Sequence, residues 1–275
     1  MNHSREVKAL IVFAAIIAYA LLFNHYDNLQ KNRVRQLSPV MPEIIYKSAL
    51  GFLEQIGAES LFIKTKVFFG GLEPSAPIDN PRTYADYYKV IVSLHPEFMD
   101  TYHFSESILP WTGEELTRLN NQILIRGVET HPDYFMLYFY LGFNHFYFLK
   151  NYKKAATYFW QASEKKDAPS WLGHLAATLS AQGGDIIGGL LLLRAMEHSE
   201  TSEQIKKRYQ SEIVEYKKAV TVQQAMNAFV SRNQRFPATL DELTPEFLPA
   251  LPVFSDEFKL IYAPPELRMV RNSEQ

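Results

Sequence analysis

Between Tyr138 and Met196, small residues recur where two helices joined by a short turn would have to touch. Leu141-Gly142 is followed by His145, Tyr152, Ala155, Phe159 and Ala162; Leu175-Ala176 is followed by Leu179, Gly183, Gly188, Leu192 and Ala195. Ala155 to Gly188 and Ala162 to Ala195 are equal steps, and the first series carries one extra residue between Gly142 and Ala155. Antiparallel helices approach closely only where a bulky side chain is missing, and neighbours such as Phe159 or Leu192 then fill the adjoining holes. Gly183-Gly184-Asp185 reads as a turn with Asp185 capping the second helix. The pattern predicts helix pairs stacked in series.

Those residues resemble the tetratricopeptide family, whose helix pairs repeat with a period of about 34 residues. Weaker copies lie upstream. Val90 to Pro96 and Ile125 to Pro132 both read as a helix end stopped by proline, and Pro96, Pro132 and Pro169 fall at repeat-like intervals. An irregular first unit pairs a helix over Ile44 to Phe69 with one over Arg82 to Leu94, across the turn-rich segment from Gly70 to Pro81. The resemblance implies an all-α solenoid of about four units over 44–200, enough to bury a continuous core, and a role in protein–protein interaction.

The apolar run from Ala9 to Phe23, extended through Tyr26, predicts a membrane anchor. Leu21, Leu22 and Phe23 continue the run past the small-residue site Ala18-Tyr19-Ala20, which favours a retained anchor over a cleaved signal peptide. Arg5 and Lys8 stand before it and Lys31, Arg33 and Arg35 after it, a nearly balanced count. Short amino-terminal anchors usually leave their tail in the cytoplasm. The expected setting is a single-pass protein of a bacterial inner membrane with a periplasmic soluble part. The expected organisation is an anchor over 1–26, a tether over 27–43, the array over 44–200, a capping helix region over 201–235 and a small α+β tail over 236–275.

In the last part, Ser202 to Asn233 predicts one or two helices that cap the array. Thr239 and Glu242 have capping-box spacing after Pro237, and Phe258 to Tyr262 and Leu267 to Val270 predict a hairpin. This order loosely resembles the tail of membrane-anchored repeat proteins and, more distantly, of pilin-like proteins.

Composition narrows the function. A net charge of −2 without a basic stripe gives nucleic-acid binding no support, and the absence of cysteine removes disulfides, thiolate metal sites and cysteine nucleophiles. No phosphate loop, GxSxG elbow, HExxH or carboxylate pair is present, so neither an enzyme, a cofactor nor a small-molecule substrate is expected. His95 and His131 precede prolines at helix ends; His103, His145 and His174 lie on first helices, without ligand spacing for a metal. What remains is a concave groove. Met136, Phe139, Phe143, Phe146 and Tyr147 are expected to form its aromatic wall, and Ser170, Gly173, Ala177, Ser180 and Ala181 its small-residue floor. Such a slot suits an apolar helix or an extended segment of a protein partner, or is filled by the chain itself. The leading expectation is a membrane-anchored scaffold that assembles envelope proteins; the alternative is a subunit of a larger membrane or secretion machine that docks through its carboxyl-terminal tail.

Overall fold

The computed structural model describes residues 16–24, 37–71 and 80–272. Residues 16–24, the described part of the expected anchor, are helical; its remainder, the first part of the tether and most of the Gly70 to Pro81 turn lie outside the described residues. Among the described residues no helix is long and apolar enough to cross a membrane.

The chain is mostly helical, with one small antiparallel sheet near its end. In order come α1 (Glu43–Leu50), α2 (Glu54–Gly70), α3 (Pro81–Leu94), α4 (Met99–Ile108), α5 (Glu114–Thr130), α6 (Phe135–Phe143), α7 (Tyr152–Ser163), α8 (Trp171–Gln182), α9 (Ile186–Ser199), α10 (Glu203–Asn233), β1 (Phe258–Ala263) and β2 (Glu266–Arg271). The helix expected over Ile44 to Phe69 is interrupted: Gly51 takes a positive φ of 51°, and a 3-10 turn over Gly51–Leu53 separates α1 from α2. Residues 37–42, at the end of the expected tether, already lie on the array. The Tyr87 hydroxyl and the Lys64 ammonium donate to the Ser38 carbonyl and hydroxyl at 3.0 and 3.1 Å.

Proline sets the helix starts. His95-Pro96 and His131-Pro132 each end one helix, and the tyrosine six residues after the proline donates back to its carbonyl: Tyr102 to Pro96 at 2.6 Å and Tyr138 to Pro132 at 3.0 Å. The same backbone turns accompany both, Phe98 N to His95 O and Tyr134 N to His131 O. A proline carbonyl left outside the helix is satisfied by the next helix's own side chain, which fixes the angle between successive units.

The best-matched positions differ from the expected ones by one residue. Asn151 and Asp185 cap α7 and α9, each accepting from the backbone N–H three residues on, at 3.1 and 2.9 Å. Counting from these caps, Ala155 corresponds to Gly189 and Phe159 to Leu193, all buried, whereas Gly188 is half-buried and Ala195 exposed. Gly189 is therefore the contact glycine. A Cβ there would stand 2.8 Å from both the Ala177 carbonyl and the Tyr216 ring, whereas at Gly188 the three nearest atoms would all belong to the Asp185 side chain. The extra residue after Gly142 disappears with this shift. In the preceding pair Gly142 plays the same part: a Cβ there would stand 2.8 Å from the Phe159 ring.

Beyond α9, α10 is one helix rather than two and closes the row by burying Tyr209, Ile213, Tyr216, Val222, Met226 and Phe229. The tail folds back over it. Leu243, Leu248, Phe258, Leu267 and Met269 join the same core. The segment after Pro237 is a 3-10 turn, Leu240–Leu243, and Thr239 makes no side-chain cap; Glu242 instead accepts from the Ala238 N–H at 2.6 Å.

Candidate partner-binding site

An aromatic ladder runs along α6. Phe139, Phe143 and Tyr147 follow at i, i+4 and i+8, so their rings lie on one face. Phe143 and Tyr147 stack at 5.4 Å and 5°, and Phe139 and Phe143 at 6.3 Å and 19°. Trp171, at the start of α8, meets Phe139 edge-on at 6.2 Å. At the other end Trp111 packs on Phe148 at 5.1 Å and beside Tyr147 at 6.0 Å, and Lys150 holds its ammonium 5.1 Å over the Tyr147 ring. The two ends of the ladder are open, with Trp111 63%, Trp171 52% and Tyr147 46% exposed. Phe139 and Phe143 are half-buried because their inner edges rest on the core formed with Phe159.

Of the expected wall, Phe139, Phe143 and Tyr147 come together. Met136 is half-buried, and Phe146 turns instead to Tyr152 on α7. Trp111, Phe148 and Trp171, none of them expected in the groove, join these three. The expected floor is corrected. Ser170 is exposed, but Ala177 and Ala181 are fully buried, Ser180 nearly so, and Gly173 is buried against Met196. The cause is α10. Its Tyr216 hydroxyl donates to the Ala177 carbonyl at 3.4 Å while Gly189 closes on the same carbonyl. Ser180 is tied under the α8–α9 turn by its bond to the Asp185 carbonyl at 3.0 Å. The chain thus fills the slot around Ala177 and Ala181 itself, while Ser170 and Gly173 line a hollow of about 320 Å³ with Trp160, Met196 and Tyr209, and the ladder at α6 stays open.

Beneath the ladder lies a polar cluster. Residues Asn144–Phe148 form a π-helical turn, closed by Leu149 N to Asn144 O at 3.0 Å. Asn144, fully buried, donates to Glu106 and Asn121 at 2.9 Å each, and Asn120 donates to the same Glu106 oxygen at 2.7 Å. Burial pushes the Glu106 carboxyl up to about 8 against the opposing pull of Asn144 and Asn120. At neutral pH it is largely the uncharged acid, which suits a helix junction with no cation among its partners.

The histidines do not converge. His103 bonds the Tyr140 hydroxyl at 2.9 Å, and burial lowers its pKa; His145 stacks on Tyr158 at 5.5 Å, its pKa lowered to about 4 first by burial; His174 contacts Glu212 at 2.7 Å. Among the described residues no group of three or more histidine, aspartate or glutamate side chains could hold a metal ion. A hollow of about 440 Å³ between α7 and α9, lined by Lys153, Trp160, Glu164 and Leu191, is separate from the ladder.

No family model matches this chain, and no curated protein or solved structure matches it either.

Proposed function

We propose that this chain is a membrane-anchored helical-repeat scaffold of the tetratricopeptide kind, which holds a segment of an envelope protein on its aromatic face. The observation that carries the reading is the open ladder from Trp111 through Tyr147, Phe143 and Phe139 to Trp171. Aromatic side chains bring large contact area at small entropic cost, and a rigid stack of them is the usual anchor of a protein interface. The equivalence of Asn151 with Asp185, of Ala155 with Gly189 and of the two proline–tyrosine turns supports a repeat origin. Docking of a larger machine through the tail is the weaker reading, since the tail turns Phe258, Leu267 and Met269 into the chain's own core.

The test is photo-crosslinking from a probe amino acid at Tyr147 and, separately, at Trp171 in native membranes. One protein adduct shared by both positions is the expected result. Only intramolecular adducts from both would remove the ladder as a binding site.

A further inference from the structure

The inner side of α2 packs into the array through Ala58, Leu61, Phe62 and Thr65. Its opposite side is also apolar. Ile56, Ile63 and Val67 recur at i, i+7 and i+11, which places them on one face, and Phe52 in the preceding turn continues the line. All four are exposed, Val67 by 70% and Phe52 by 96%. An outward apolar stripe is costly in water, and the terminal units of a helical row ordinarily present a polar outer face. Lys64 and Lys66 border the stripe on its two flanks, both exposed, with Glu59 beside it.

Resting on the anchor reading, we infer that this stripe lies on the bilayer surface, with Phe52, Ile56, Ile63 and Val67 inserted at the level of the headgroups. The helical segment 16–24 belongs to the run expected to enter the membrane, and residues 25–42 separate it from α1. Fully extended, that stretch spans at most about 60 Å. The lipid surface is thus a permanent neighbour of α2, at the high effective concentration that a tether imposes. The flanking lysines do not choose the occupant: the Lys64 ammonium turns back to Ser38 and the Tyr87 ring, and that of Lys66 lies over the Phe62 and Phe104 rings. A second copy of the chain is the poorer occupant. With Ile56 and Ile63 set at the a positions of a heptad, the d positions fall on Glu59 and Lys66, and no continuous seam forms. Phe52, standing almost clear of the protein, likewise suits a soft interface better than a close-packed one.

The chain contains no cysteine, so single sites can be introduced into the full-length protein without background. Variants Phe52→Cys, Ile63→Cys and Val67→Cys, with Leu21→Cys in the anchor and Lys207→Cys on α10 as references, would carry a nitroxide in nanodiscs of mixed zwitterionic and anionic lipid. The readout is collision with oxygen, which concentrates in lipid, against collision with a water-soluble nickel chelate. The inference expects the three stripe sites to favour oxygen several-fold over Lys207→Cys, approaching Leu21→Cys. Nickel access at the stripe with oxygen access at Leu21→Cys overturns the inference and leaves the anchor standing. Nickel access at Leu21→Cys as well overturns the anchor reading and the inference with it. Shielding of the stripe from both reagents shows a protein surface there, a second copy if the spins broaden one another, and overturns the lipid assignment.

Discussion

The two ends of the helical row are covered in different ways. At the carboxyl-terminal end, α10 and the tail lay a second layer of side chains over α8 and α9, pinned by Glu212. This carboxylate is buried and meets His174 of α8 at 2.7 Å, Arg271 of β2 at 2.6 Å and Arg208 at 3.2 Å. Burial raises its pKa, but the bonds and charges of His174 and Arg271 outweigh this and hold it below the usual carboxylate value. At the amino-terminal end, α2 has no such layer among the described residues, and its outer side carries Ile56, Ile63 and Val67. The difference teaches that one end is finished within the fold, while the other leaves an apolar outer side uncovered among the described residues. The open ladder at α6 lies between these two ends.

The largest effect is expected where the closed end is pinned. Glu212→Ala leaves His174 and Arg271 facing each other without their shared acceptor, and is expected to reduce stability by about 3 kcal/mol in chemical denaturation. Gly189→Leu forces a side chain against the Ala177 backbone and the Tyr216 ring, and overpacking of this kind costs about 2–3 kcal/mol. Gly188→Leu displaces only the Asp185 cap, for about 1 kcal/mol. Equal losses at the two glycines, measured by thermal unfolding, would contradict the assigned register.

Glu106 gives a pH test. The folded state keeps a proton that the unfolded chain releases near pH 4.5, so its contribution to stability is complete below that value. It is lost as pH rises towards about 8. Glu106→Gln copies the protonated acid and is expected to remove this slope, gaining on the order of 2 kcal/mol over the wild type at pH 8 and little at pH 4. Denaturation curves at the two pH values check it; a parallel pH dependence in the variant would assign the titration elsewhere. The smallest effect belongs to the open end. The triple variant Phe52→Ser, Ile63→Ser, Val67→Ser is expected to change stability away from lipid by less than about 0.5 kcal/mol, because those side chains have few partners to lose.

The helix pairs were legible from sequence because small residues at a contact leave a periodic mark. The register was not, since Gly188 and Gly189 are adjacent and composition does not say which one faces α8. The aromatic wall was legible for the same periodic reason at Phe139, Phe143 and Tyr147. The floor failed because the cover over Ala177 arrives from Tyr216, far along the chain, and a small residue under another helix reads like a small residue under a ligand. Glu106, Asn120 and Asn144 carried no mark either. Polar residues on amphipathic helices resemble a wet surface until three helices bring them together. Trp111 and Trp171 were missed because Trp111 sits in the 3-10 turn Leu109–Thr112 between α4 and α5 and Trp171 at the start of α8, both outside the repeat pattern.

The most direct test of the contrast between the two ends is hydrogen exchange on the full-length protein in nanodiscs, comparing wild type with the triple stripe variant. The account predicts that amides of α2 lose protection several-fold in the variant while those of α10 do not change. Unchanged protection of α2 would mean that the stripe rests on nothing, and that the amino-terminal end is not finished by the membrane.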